Sequence, residues 1–150
     1  MKPEEQARQI IDQLLEQAGW VVQDRDRFNL GAKRGVAVRE FSMSTGATDY
    51  LLFVDREAVG TIEAKKVGET LIGVEEQSAK YRMGLPGGLP AARIPLPFTY
   101  ETTGIETRFT ISRRKAPGFI HEDESRSATR RQNTRHLFYP LLYCMQFFCT

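Results

Sequence analysis

The spacing of apolar residues changes along the chain between the helical period and the strand period, and these changes predict its elements. Residues 4–18 place their apolar side chains on one face of an amphipathic helix. Alternation predicts a strand at residues 36–41, a hairpin at 48–66 and a second, proline-interrupted hairpin at 93–111. A helical pattern at 69–83 separates the two hairpins.

This order of elements predicts the fold class and the domain organisation. It indicates an α/β (α+β) fold, with a central mixed β-sheet flanked by α-helices. A chain of 150 residues suits a single domain with a substantial core. After Ile111 the pattern degrades into a basic, polar stretch and then an aromatic and aliphatic one. We therefore expect one folded domain at residues 1–111 and an atypical tail at 112–150, truncated, frame-altered or poorly ordered.

The functional prediction depends on the first hairpin. If its turn consists of Asp55–Glu57, Val54 faces Ala58 and, further along the strands, Asp49 faces Glu63. Facing residues of an antiparallel pair have Cβ atoms roughly 4.5 to 5.5 Å apart. The predicted register therefore brings two carboxylates together at the end of the hairpin away from its turn.

Lys65 lies two positions after Glu63 and so shares its face of the strand. Two carboxylates held this close repel each other unless a cation lies between them, and oxygen ligands suit Mg²⁺. A lysine beside such an ion orients or deprotonates a water, or stabilises a pentavalent phosphate. The pattern favours metal-assisted phosphodiester hydrolysis. The alternative is that these charges are ordinary solvated residues at strand ends.

Other polar residues also have two interpretations. Gln77 and Tyr81, four positions apart, share a helical face that can present an amide and a phenol to a nucleic acid, although the spacing alone favours a core-facing tyrosine. Acidic residues of the first helix either approach the hairpin charges or are solvated: Glu4, Glu5 and Glu16. Basic residues of the loop at 24–35 either meet phosphates or are solvated: Arg25, Arg27, Lys33 and Arg34.

Charge and cysteine content narrow the setting of the protein. The net charge of +2 is too small to diagnose a nucleic-acid partner. The two cysteines, Cys144 and Cys149, form neither a disulfide framework nor a zinc site. The sequence shows no signal-peptide pattern and no apolar run long enough to span a bilayer, so we expect a cytoplasmic protein without membrane contact.

Six ordered segments within residues 4–111 carry a family resemblance, and they include Thr48-Asp49, Glu63-x-Lys65 and a Gln-x-x-x-Tyr motif at Gln77 and Tyr81. The chain resembles the N-terminal nuclease domain of type I restriction endonuclease R subunits, a branch of the PD-(D/E)xK nuclease superfamily. The resembling segments are residues 11–20, 34–41, 47–55, 60–66, 77–81 and 96–104. Thr48 stands where the superfamily name places proline. The resemblance implies a restriction-endonuclease-like core.

The resemblance also implies roles for individual residues. Asp49 and Glu63 would bind Mg²⁺, with Mn²⁺ as a substitute, and Lys65 would serve the attacking water or the transition state. Gln77 and Tyr81 would position DNA. We further expect phosphate contacts from Lys33, Arg34 and Lys66. These assignments describe an Mg²⁺-dependent endonuclease without sequence preference of its own.

The implied partners are double-stranded DNA and the modification and specificity subunits of a type I restriction complex. The family couples its nuclease domain to an ATP-driven translocase, yet the chain contains no Gly-x-x-x-x-Gly-Lys-Ser/Thr loop, so we expect no ATP site in it. Two alternatives stay open: a non-catalytic fragment that docks on DNA or partner subunits, and a stand-alone nuclease of the repair or resolvase type.

Overall fold

The protein is built on one mixed β-sheet, with a long helix packed on one of its faces. The computed structural model describes residues 2–71, 80–111 and 127–128. Its elements in chain order are α1 (Pro3–Gln17), β1 (Val21–Asp24), a 3₁₀ helix (Arg25–Arg27), β2 (Gly35–Met43), β3 (Gly46–Val54), β4 (Glu57–Ala64), β5 (Phe98–Thr102), β6 (Thr107–Ile111) and β7 (Ser127–Ala128). Residues 80–83 form a further helical turn.

The strands lie in the sheet in the order β1-β2-β3-β4-β5-β6-β7. The β1–β2 and β4–β5 pairs are parallel, and the other pairs are antiparallel. The predicted α/β fold with a central mixed sheet is therefore confirmed, and it is compatible with a restriction-endonuclease-like core. Within the described part of the chain, no helix is both long and apolar enough to cross a bilayer.

Helix α1 forms where the apolar spacing predicts it, with bounds that differ by one residue at each end. Pro3 occupies its first turn, where a missing N–H costs nothing, and Gly19 follows its end with φ +89°. Its apolar stripe, including Ala7, Ile11 and Leu15, is buried against the sheet. The stripe thus fixes which face of α1 points away from the core, and Arg8 is not part of the buried stripe.

Two apolar clusters lie within the fold because β3 and β4 bury both of their faces. The first combines α1 and Trp20 with alternate residues of β3, β4 and β5. The second combines the intervening residues of β2 and β3 with Tyr81 and Leu96, and includes the ring contacts of Phe28, Phe41 and Phe53. Strands buried on both faces belong in the middle of a sheet, which is where β3 and β4 lie.

The turn of the first hairpin differs from the predicted one. It has two residues, Asp55 and Arg56, and Val54 pairs with Glu57 rather than Val54 with Ala58. Both turn residues have positive φ, +49° and +70°, as a two-residue hairpin turn requires. The prediction of a three-residue turn was wrong because neither residue is a glycine or asparagine, the usual signals for this conformation.

A β-bulge then restores the predicted register. Phe53 pairs with Ala58, but the next pair is Leu52 with Gly60, so Val59 is an extra residue in β4. Beyond the bulge the ladder continues to the pair of Tyr50 and Ile62, where it ends. Asp49 and Glu63 are the next residues in this register, as the three-residue turn would also have placed them.

The remaining predictions concern the later part of the chain. The second hairpin is confirmed as β5 and β6, with its turn at residues 103–106. Residues 69–71 are not helical, so the helix predicted at 69–83 began too early, and residues 72–79 lie outside the described part. In the tail, β7 pairs with β6, while 112–126 and 129–150 are not described. The division of the chain at Ile111 stays a prediction.

A polar network fastens α1 to the sheet beside the end of the first hairpin that carries Asp49. The Arg39 guanidinium donates to Asp12 at 2.8 Å and to Asp24 at 2.8 Å. The Tyr50 hydroxyl lies 2.8 Å from Asp12 Oδ1 and 3.2 Å from the Arg8 carbonyl oxygen. Burial, followed by the charge of Asp12, raises the pKa of the Tyr50 phenol, so it remains a proton donor. The network fixes the backbone of α1 over β3.

Replacing Tyr50 by Phe is expected to lower the free energy of unfolding by about 1 to 3 kcal/mol. The substitution keeps the buried ring but removes a hydrogen bond to a charged carboxylate, a type of bond that contributes about this much. Urea unfolding of Tyr50→Phe, Asp12→Asn and the double variant measures the loss and the coupling between the two groups. An unchanged free energy for Tyr50→Phe would show that the hydroxyl does not hold α1.

Candidate active site

Asp49 lies where β3 and β4 cease to pair. Its Oδ2 accepts a hydrogen bond of 2.8 Å from the backbone N–H of Ala64, so the carboxylate is held against the end of β4. The preceding residue, Thr48, is buried, and its hydroxyl lies 3.3 Å from the carbonyl oxygen of Ile62. Thr48 thus ties the start of β3 to β4 immediately before the acidic residue.

Glu63 and Lys65 lie next to Asp49 at this strand end. Lys65 Nζ is 3.7 Å from Glu63 Oε1, and the backbone N–H of Lys65 donates to the Thr102 carbonyl at 2.8 Å. The second bond extends the β4–β5 pairing past Ala64 and fixes the Lys65 backbone. The structure therefore brings together the two carboxylates and the amine that the hairpin pattern predicts, Asp49, Glu63 and Lys65.

The carboxyl group of Glu63 has a raised pKa. Burial raises its pKa most, the charges of Asp49 and Glu101 raise it further, and Lys65 lowers it, with a net result of about 7. Glu101 is its neighbour because the parallel β4–β5 register pairs the two glutamates. Glu101 could not be recognised from the sequence. It reaches Glu63 through the pairing of β4 with β5, and a long connection separates these two strands, so no local pattern indicates that the two glutamates are neighbours.

The donor set fits a small, hard cation. Glu63 Oε2 is buried and has no hydrogen-bond partner among the described residues, and its neighbours Asp49 and Glu101 add negative charge. A cation at this point would relieve both the repulsion and the unsatisfied oxygen. In the described ranges no group of three or more His, Cys, Asp or Glu is arranged as a metal cage. Mg²⁺ needs only one or two protein carboxylates, which Asp49 and Glu63 could supply.

Arg8, on α1, is a residue of the site that sequence reasoning missed. Its guanidinium donates to Asp49 Oδ1 at 2.7 Å and to Glu40 Oε1 at 2.6 Å. Partial burial alone would lower the pKa of Arg8, but the charges and hydrogen bonds of Asp49 and Glu40 outweigh it and raise the pKa. No signal in the helical pattern distinguishes this arginine from the other polar residues on the outward face of α1.

Of the two residues in the Gln-x-x-x-Tyr motif, the structure describes Tyr81. Its ring is buried in the second apolar cluster and packs on Gly46, where an added Cβ would lie 3.3 Å from Tyr81 Cε1. The neighbouring β2–β3 turn is fastened to the same segment, because Ser44 N–H donates to the Gly84 carbonyl at 2.7 Å. Tyr81 thus supports the start of β3 from the core side. Gln77 lies outside the described residues.

The three predicted phosphate contacts do not lie together. Arg34 pairs with Asp55 at 3.1 Å, at the turn end of the hairpin, and Lys33 precedes it. This end is five strand residues from Asp49, a distance of about 17 Å at the rise of a β-strand. Lys66 instead directly follows Lys65 and lies 3.4 Å from Glu4. Among the predicted basic residues, the structure places Lys66 at the site and Lys33 and Arg34 away from it.

One family model matches most of the chain. Residues 29–140 match the family model described as the type I restriction enzyme EcoKI endonuclease subunit second domain. The matched range covers more than half of the chain and contains Asp49, Glu63 and Lys65. No curated protein and no solved structure matches the chain.

Proposed function

The chain belongs to the family of the type I restriction enzyme EcoKI endonuclease subunit second domain, and from this premise we propose that it hydrolyses DNA phosphodiester bonds with Mg²⁺. The observation that carries the proposal is the buried Glu63 carboxylate, which has an unsatisfied oxygen and a raised pKa beside Asp49 and Lys65. A structural role alone gives no reason to gather like charges out of water, whereas a metal site does.

In this proposal the side chains divide the work. Asp49 and Glu63 would hold the ion, because the Ala64 N–H fixes the position of Asp49 and the β4–β5 pairing fixes that of Glu63. When bound, Mg²⁺ supplies charge neutralisation at the phosphate and lowers the pKa of a bound water. Lys65 keeps its ammonium group beside the reacting phosphate, where it attracts the developing negative charge and orients the attacking water.

The proposed substrate is double-stranded DNA, held through its phosphates. A domain that contacts only the backbone has no means of selecting a base sequence, so target choice would belong to specificity and modification subunits of the complex. We propose that the protein acts in a cytoplasmic restriction system as the subunit that cuts. Affinity of the isolated chain for DNA should be weak and steeply dependent on salt.

The test is nicking of supercoiled plasmid by the purified chain at low salt, with Mg²⁺, with Mn²⁺ and with EDTA. The proposal expects conversion to open-circular and linear DNA with either metal and none with EDTA. Absence of cleavage at high protein concentration, with DNA binding intact, would favour a docking fragment. A strong preference for four-way junctions over linear duplex would favour a resolvase-type enzyme.

Lys66→Ala is expected to weaken DNA binding several-fold at low salt and to reduce the slope of log affinity against log salt by about 0.9, the contribution of one phosphate contact. Lys33→Ala removes the same charge at the far end of the hairpin and serves as the matched control. Fluorescence anisotropy with a labelled duplex in Ca²⁺, which avoids turnover, measures both. Equal losses in the two variants would mean that binding does not centre on the proposed site.

A further inference from the structure

The guanidinium of Arg8 lies against Asp49, where a metal ion bound by this carboxylate would lie. One guanidinium nitrogen lies 2.7 Å from Asp49 Oδ1 and another lies 2.6 Å from Glu40 Oε1, so a single positive charge bridges two carboxylates. The other Asp49 oxygen is already held by the Ala64 N–H. Both oxygens of the predicted metal ligand are therefore engaged by the protein itself.

We propose that Arg8 is a positioning residue that competes with the divalent cation for Asp49, so that metal binding requires its guanidinium to leave Asp49 Oδ1. The inference rests on the proposed function, because it takes Asp49 as a metal ligand. It adds a residue of α1 to the site and assigns it a role in setting the metal affinity.

Charge is the first argument for this competition. A carboxylate oxygen retains lone pairs after accepting one hydrogen bond, so geometry alone does not exclude a metal. A guanidinium, however, is charged at every accessible pH, and a dication beside the same oxygen would meet its repulsion in a partly buried site. Asp49 is only 14% exposed, which limits screening of this repulsion by water.

The second argument is that the Arg8 side chain has an alternative partner, Glu40, and access to solvent. Its backbone is fixed, since the Arg8 carbonyl accepts from Tyr50 and the adjacent Ala7 is buried. Its side chain is 41% exposed, and Glu40, its second partner, is 66% exposed. The guanidinium can therefore leave Asp49 and remain with Glu40 or solvent, while the arriving cation takes over the neutralisation of the Asp49 charge. The anchored helix thus carries a guanidinium that can exchange partners.

The test measures metal affinity in the absence of DNA. Mn²⁺ is titrated calorimetrically into the wild type, Arg8→Ala, Arg8→Gln and Arg8→Lys. Arg34→Ala is the matched control, because it removes the same charge from a similarly exposed arginine that pairs with one aspartate at the other end of the hairpin. Circular dichroism melts accompany each titration, and Arg8→Gln keeps most of the side-chain length should Arg8→Ala lose α1.

The expected result is that Arg8→Ala and Arg8→Gln bind Mn²⁺ roughly tenfold more tightly than the wild type, the lower end of what a neighbouring charge does to the cation affinity of a carboxylate. Arg8→Lys should stay near the wild type, and Arg34→Ala should not differ from it. Unchanged or weaker binding in the folded Arg8 variants would overturn the inference while leaving the metal site intact. Failure of every protein, wild type included, to bind Mn²⁺ would instead refute the metal site and the inference with it.

Discussion

Replacing Asp49 by Asn should lower Mg²⁺-dependent nicking of supercoiled plasmid by more than about 100-fold, the scale of loss when one group that stabilises transition-state charge is removed. Asparagine keeps the shape of the side chain, and its oxygen can still accept the bond from Ala64 N–H. What it removes is the charge that would hold the proposed cation. Lys65→Ala should cause a loss of similar size, although its partner Glu63 remains in place.

The measurement is the initial rate of plasmid nicking under single-turnover conditions, so that product release does not mask the chemical step. Glu57→Gln is the matched control, because it neutralises an exposed acid on the same hairpin at the turn end. Its rate should equal that of the wild type. If Asp49→Asn retained full activity while the control behaved as expected, the strand end described here would not be the cutting centre.

Replacing Glu63 by Gln should stabilise the metal-free protein at pH 8 by about 3 kcal/mol and have a much smaller effect at pH 5. The folded-state pKa of Glu63, about 7, lies above the ordinary value of 4.5. The folded state therefore holds a proton that the unfolded state releases between these two values, and stability falls as the pH rises through this window. Each pKa unit corresponds to about 1.4 kcal/mol. Glutamine carries no charge and avoids the loss.

Urea unfolding of the wild type and Glu63→Gln at several pH values between 5 and 8, in EDTA, measures the difference in their free energies of unfolding. Acidic residues that the two proteins share cancel from this difference. Adding Mg²⁺ at pH 8 should then stabilise the wild type and not Glu63→Gln, because a ligand stabilises only the protein that binds it. A difference that stayed constant across this range would show that Glu63 is not buried as a charge. Glu57→Gln again provides the reference.

Much of the fold could be predicted because the local spacing of apolar residues indicates most of its helices and strands. The helical stripe of α1 and the alternation in β2 depend only on neighbours in sequence, and so do the second hairpin and the strands of the first. The turn could not be predicted, since Asp55 and Arg56 both adopt left-handed backbone conformations and arginine has no preference for this region. The bulge at Val59 was not predicted either, although Gly60 follows it directly and an isolated glycine within a strand suggests a bulge.

In the candidate site, too, the residues indicated by a local pattern could be predicted and the others could not. Asp49, Glu63 and Lys65 were predictable because all three lie on one hairpin, whose register a pattern can suggest. Arg8 and Glu101 were not, since each reaches the site through tertiary structure: Arg8 by the docking of α1 and Glu101 by a parallel strand that follows a long connection. Sequence separation, and not residue type, decided which members of the site could be found.

The bulge has a consequence for how this hairpin tolerates change in length. A regular hairpin with the two-residue turn would set Asp49 opposite Ile62, and the side chain of Glu63 would point to the other face of the sheet. The single additional residue, Val59, moves Glu63 back beside Asp49. A turn one residue longer without a bulge gives the same alignment. Two backbone routes therefore lead to the same alignment of the two carboxylates, and a hairpin that lost the bulge would keep this alignment if its turn gained one residue.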